Sequence, residues 1–171
     1  MIRALFCAAS VLFFSGCASI EADAESKYIK VIYSGLTFRL PPDPLIVGSL
    51  GGESNILVFE YSKDPGKYIG YTTDRDLRTG NCEPTEFFRK SLSNDASDSD
   101  CPNEIKTFNQ VFSRDRETGA WTGTDQEFYY FISRDHRSSF IFFVTDDGTI
   151  RKMESDFLKK SDFKKALAQY L

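Results

Sequence analysis

The sequence predicts an α+β fold built on one mostly antiparallel sheet, with a short disulfide-fastened helix and a C-terminal amphipathic helix. Three observations carry this expectation. Phe and Tyr, 16 and 8 of the 171 residues, cluster in short segments rather than along a helical stripe, as strands require. Turn signals separate those segments at short intervals. Helical spacing of apolar residues is read at residues 84–92 and 160–171, and Cys82 and Cys101 bracket the first of these.

Residues 27–171 are expected to form a single α+β domain. "KYIKVIYSG" sets Tyr28, Lys30 and Ile32 against Ile29, Val31 and Tyr33, and Ser34-Gly35 separates it from "LTFRL", so two short strands are expected. The prolines of "PPDP" at 41–44 each remove a ladder donor and predict a loop. "VGSLGGES" at 47–54 reads as a flexible glycine-rich connection; with no Lys-Ser/Thr after it, the phosphate-cradling pattern is unmet. "NILVFEYS" and "KYIGYTTD", joined by Lys63-Asp64-Pro65-Gly66, predict a hairpin. "EPTEFFRKSL" predicts a helix with Pro84 near its first turn and Phe87, Phe88 and Leu92 on one face. It runs into "SNDASDSD", an acidic polar loop.

Beyond Cys101 the pattern predicts an antiparallel meander. Its members are "KTFNQVFSRD", a turn at Glu117-Thr118-Gly119, "AWTGTDQEFYYFISRD", "SFIFFVTD" and "TIRKMES". Asp147-Gly148 is a two-residue hairpin signal, since both positions tolerate positive φ. The single tryptophan, Trp121, reads as core. Finally "KSDFKKALAQYL" places Phe163, Ala166, Leu167, Tyr170 and Leu171 on one helical face behind a Ser161 N-cap.

The formal net charge is -4, and no basic stripe is concentrated enough to make nucleic acid an expected partner. At the N-terminus Arg3 precedes an apolar run from Ala4 to Phe14, too short to span a bilayer core of about 30 Å as a helix. That length suits the apolar region of a signal peptide. Ser15 and Gly16 follow, then Cys17, and Phe14-Ser15-Gly16-Cys17 resembles the lipobox of bacterial lipoproteins. Phe14 stands where that family usually carries Leu or a small aliphatic residue.

The resemblance implies that residues 1–16 are a signal peptide and that Cys17 takes a diacylglyceryl group on sulfur and a fatty acyl chain such as palmitate on its new amino group. Residues 17–26 then form the lipidated cysteine and a flexible tether. Ala18 rather than Asp after the cysteine implies the outer membrane, with the domain on the periplasmic side. An ordinary secretory peptide cut near Ala18 or Ala22 is the alternative. Removing 16 of 171 residues leaves 155, enough for one domain with a real core, and losing Arg3 takes the charge from -4 to -5.

Of four cysteines, Cys7 leaves with the signal and Cys17 carries lipid, so Cys82 and Cys101 remain as a pair that an oxidising compartment would join. A loop of about 20 residues closed in this way is stabilised by roughly 3 kcal/mol.

His136 is the only histidine, and "SRDHRSS" places it at a loop tip, where it lacks the burial an effective general base needs. Arg134, Asp135, His136 and Arg137 instead form a candidate partner-binding loop, because Arg forks onto carboxylates. Asp95, Asp98 and Asp100 lack the glycine and distal glutamate of a calcium loop, and no G-x-S-x-G elbow is present. No catalytic residue, cofactor or metal is expected. The expected function is that of a lipid-anchored, non-catalytic envelope protein binding another envelope protein. The alternatives are an immunity or inhibitor lipoprotein acting on a toxin or wall hydrolase, and an envelope hydrolase. A pocket joining His136 to a carboxylate and a nucleophile would favour the enzyme, whereas an exposed apolar patch would favour binding.

Overall fold

The computed structural model describes residues 19–22, 27–51, 55–63, 66–93, 99–135 and 138–171. Cys17, the lipobox and the signal segment lie outside them, as do His136 and Arg137. Strands β1 (Ser19–Ala22), β2 (Ile29–Tyr33) and β3 (Leu36–Leu40) form a small antiparallel sheet in that order. Strands β4 (Ile46–Leu50), β5 (Ile56–Glu60), β6 (Tyr68–Thr73), β7 (Arg116–Thr122), β8 (Glu127–Ser133), β9 (Ser139–Val144) and β10 (Ile150–Ser155) form the larger sheet, ordered β4-β5-β6-β10-β9-β8-β7. Every pairing is antiparallel. Helix α1 (Pro84–Ser93) and helix α2 (Pro102–Phe108) bridge β6 and β7, and α3 (Lys160–Ala166) follows β10. The predicted α+β class, disulfide and C-terminal helix are all present.

Alternation along the strands gives the larger sheet two apolar faces, and each is covered differently. Phe128, Ile141, Phe143 and Met153 point toward β2, β3 and α3, where Val31, Phe38 and Phe163 meet them. Tyr71 packs there between Tyr33, with ring centroids 5.6 Å apart, and Phe38, at 5.0 Å. Tyr129, Phe131 and Phe142 point the other way, against Phe87, Phe88 and Phe108 of the helices. Phe88 lies flat between Tyr129, centroids 4.9 Å apart, and Phe142, 5.3 Å apart. Such ring contacts add to the large area each aromatic side chain buries. The Cys82–Cys101 disulfide, with Cα atoms 5.7 Å apart, ties the start of α2 to the segment before α1.

Five local expectations need correction. The "KTFNQVFSRD" segment is helical: Pro102 starts α2, and a π-helical turn, Asn109–Ser113, extends it. Ile105, Phe108 and Phe112 recur at helical spacing and pack toward α1 and β9, which outweighs the β preference of Phe and Val. Glu117-Thr118-Gly119 lies inside β7, and the chain reverses instead at 123–126, where Gly123 N–H donates to Gln126 O at 2.8 Å. Residues 46–50, in and beside the expected flexible connection, form edge strand β4 on β5. Ser19–Ala22, within the expected tether, pairs with β2. At the β9–β10 turn only Gly148 takes positive φ, and Thr145 N–H donates to Thr149 O at 3.0 Å, so the reversal is longer than two residues.

The last helix begins two residues earlier than its predicted cap. Asp162 accepts a hydrogen bond from Lys159 N–H at 3.2 Å, so Lys159 rather than Ser161 marks the start. Phe163, Ala166 and Leu167 are buried as the spacing required, whereas Leu171 is exposed. Trp121 is buried in the sheet-side core and stacks on Tyr130.

Candidate functional site

The β7–β8 and β9–β10 turns and the N-terminal half of α1 surround a groove of about 500 Å³. Two alternations converge there. Glu127 and Tyr129 are two apart on β8 and share its helix-side face, while Arg89 stands on α1 one turn before the end of the helix. Phe87 and Phe88 bury the other side of α1 and so turn Arg89 toward solvent. The turn at 123–126 is held against the C-terminus, since Thr124 N–H donates to Tyr170 O at 2.9 Å. A Cβ on Gly123 would stand 2.4 Å from that same carbonyl oxygen, so glycine is required for the close approach.

The charged groups are already matched to one another. Arg89 Nε donates to Glu127 Oε2 at 2.9 Å, and the Tyr129 hydroxyl donates to the same oxygen at 2.7 Å. Those two bonds hold the Glu127 carboxyl below the usual carboxylate range. Burial, and then the neighbouring Glu127, push the Tyr129 phenol up. At Glu83 burial works in the opposite direction, but the N–H groups of Thr85 and Glu86 prevail and keep its carboxyl low. Exposed Asp125 and Asp146 complete an acidic rim.

This arrangement suits recognition more than proton transfer. A carboxylate held ionised by two donors is a weak base near neutral pH, and a phenol held protonated is a weak acid. The rim offers acceptors to a basic or hydrogen-bond-donating surface, and the exposed face of Arg89 offers a donor fork.

The predicted binding loop lies elsewhere. Arg134 and Asp135 are exposed in the β8–β9 connection, at the opposite end of β8 from Glu127. Ser133 Oγ donates to Asp135 Oδ1 at 2.9 Å, and Ser133 N–H donates to Ser139 Oγ at 3.0 Å, which shapes that turn. Cys82 and Cys101 are joined as expected. Asp100 is exposed, Asp95 and Asp98 lie outside the described residues, and no metal-holding group of three or more His, Cys, Asp or Glu occurs among the described residues. No described helix is long and apolar enough to cross a membrane. The groove residues Arg89, Glu127 and Tyr129 escaped the sequence reading; the i, i+2 spacing of Glu127 and Tyr129 was the only local signal. Compared with protein-family models, curated proteins and solved structures, the chain matches none.

Proposed function

We propose that this chain is a lipid-anchored cell-envelope protein that binds another envelope protein without catalysis, using the groove between α1 and the two hairpin turns. The observation that carries the reading is the Arg89–Glu127–Tyr129 network, whose protonation states are held by mutual hydrogen bonds within an acidic rim. That rim favours a basic partner, so an inhibitor or immunity role toward a basic toxin or wall hydrolase is the narrower version. The anchor rests on the lipobox resemblance, with Cys17 as the acylated residue and the outer membrane as the destination.

Two measurements test the reading. Pull-down from solubilised envelopes should recover a salt-sensitive partner with the wild type and lose it when the exposed rim acids are reversed together in Asp125→Lys/Asp146→Lys, while Arg134→Glu retains it. Loss with Arg134→Glu alone would move the site to the β8–β9 loop. Recovery of a hydrolytic activity that His136→Ala abolishes in a folded protein would replace binding by catalysis. Separately, Cys17→Ser should stop palmitate incorporation and release the chain from membranes once signal cleavage has been verified; equal labelling would remove the anchor.

A further inference from the structure

Strand β4 is the outermost strand of the larger sheet, with β5 on one side and no strand partner on the other among the described residues. All five of its residues are exposed. Leu45, Ile46, Val47 and Leu50, between 42% and 68% exposed, gather most of the large apolar residues that the described surface shows to solvent. The cross-strand register places Ile46, Gly48 and Leu50 beside Glu60, Val58 and Ile56, on the face that α1 and α2 leave uncovered. Natural edge strands are usually guarded by a charge, a proline or a bulge, because an open ladder recruits another strand. From Leu45 to Gly51 the sequence is "LIVGSLG", uncharged in a chain that is 27% charged.

We infer that β4 is a self-association edge, pairing antiparallel with β4 of a second copy about a two-fold axis at Gly48. The strand is its own complement in that register. Ile46 of each copy stands opposite Leu50 of the other, Val47 opposite Ser49, and Gly48 opposite Gly48. Both apolar pairs fall on one face and continue the row that Ile56 and Val58 begin. No like charges meet across the strand, and there is equally no charge by which β4 could select a foreign strand.

Gly48 supplies the second argument. A Cβ there would meet nothing within 4 Å, and its φ lies outside the left-handed range, so the fold of one chain does not require glycine at this position. A glycine inside a strand weakens it and often marks close approach by another backbone. Two glycines facing each other on the axis would leave the space between the flanking Ile46–Leu50 pairs free of side chains. One strand pair covers less than the 1,200–2,000 Å² that stable interfaces bury, so the dimer is expected to be reversible and concentration-dependent.

Cysteine cross-linking on the full chain, purified from envelopes in detergent, tests the register. Residues on the axis are within disulfide reach, whereas Leu50 and its own copy stand four residues apart along the ladder. Under mild oxidation Gly48→Cys should give a covalent dimer, Leu50→Cys alone should not, and a mixture of Ile46→Cys and Leu50→Cys chains should cross-link. Sedimentation should show a dimer fraction that rises with concentration and falls at least tenfold in Leu50→Lys, with an unchanged melting temperature. A monomer at every concentration, open-ended oligomers, cross-linking of Leu50→Cys as fast as Gly48→Cys, or capture of a different protein by an otherwise monomeric chain would each overturn the inference.

Discussion

Gly119 on β7 lies directly beneath the ring of its cross-strand neighbour Tyr130: a Cβ added to Gly119 would stand 2.3 Å from the phenolic oxygen. Tyr130 cannot easily swing aside, because it stacks on Trp121 with centroids 4.9 Å apart and its oxygen accepts from Lys160 Nζ at 2.9 Å. Gly119→Ala is therefore expected to destabilise the fold by about 1–3 kcal/mol, the usual cost of overpacking. In a Tyr130→Ala background the same change should instead stabilise by about 0.5 kcal/mol, the intrinsic gain of Ala over Gly in a strand. Chemical denaturation of the four chains measures the reversal of sign.

Phe88 is fully buried and holds α1 to both β8 and β9 through its contacts with Tyr129 and Phe142. Phe88→Ala should cost about 3–5 kcal/mol, since the cavity cannot close without moving α1. Phe88→Leu should cost distinctly less, as thermal melts under fixed redox conditions would show.

The Cys82–Cys101 bridge closes the excursion that carries α1. Replacing both cysteines by serine is expected to lower stability by roughly 3 kcal/mol. Intact-mass analysis after alkylation should find neither Cys82 nor Cys101 labelled in non-reduced protein, and labelling of both would remove the bridge.

The Asp147 carboxyl, in the β9–β10 turn, is lowered from 3.8 to about 2 by hydrogen bonds from the Thr145 hydroxyl and from Thr149. A folded-state pKa below the unfolded one contributes stability that is present above pH about 3.8 and is lost as pH falls toward 2. Carbon-detected NMR titration should place this midpoint near 2, and Asp147→Asn should flatten that part of the stability profile. A midpoint at the ordinary aspartate value would show that the turn does not hold the carboxylate.

The strands from Phe128 to Ser155 were legible because they are short runs, most of them rich in Phe, Tyr and Ile, bounded by turns that carry Asp or Asp and Gly. Other features had their cause across the fold. Gly119 resembles a turn residue locally, yet it is glycine because Tyr130 covers it. Residues 106–113 look β-like in isolation, and only Pro102 and the spacing of Ile105, Phe108 and Phe112 disclose the helix. The groove was hidden for the same reason. Arg89 meets Glu127 across 38 residues of chain, and the disulfide-closed excursion sets that meeting with no local spacing to announce it.

The seam between β6 and β10 also governs when the molecule can become native. Ile69–Thr73 must wait for Arg151–Ser155 to complete its pairing, so the first meander keeps an open inner edge until β10 has emerged. Closing so long a loop is entropically slow, and in the order of synthesis β10 is the last of the described strands to arrive. A chain ending at residue 149 should therefore leave those amides of Ile69–Thr73 that face β10 rather than β5 exchanging at rates close to those of an unfolded segment. Extension through Ser155 should protect them together, making β10 the latch on which the earlier half of the sheet depends.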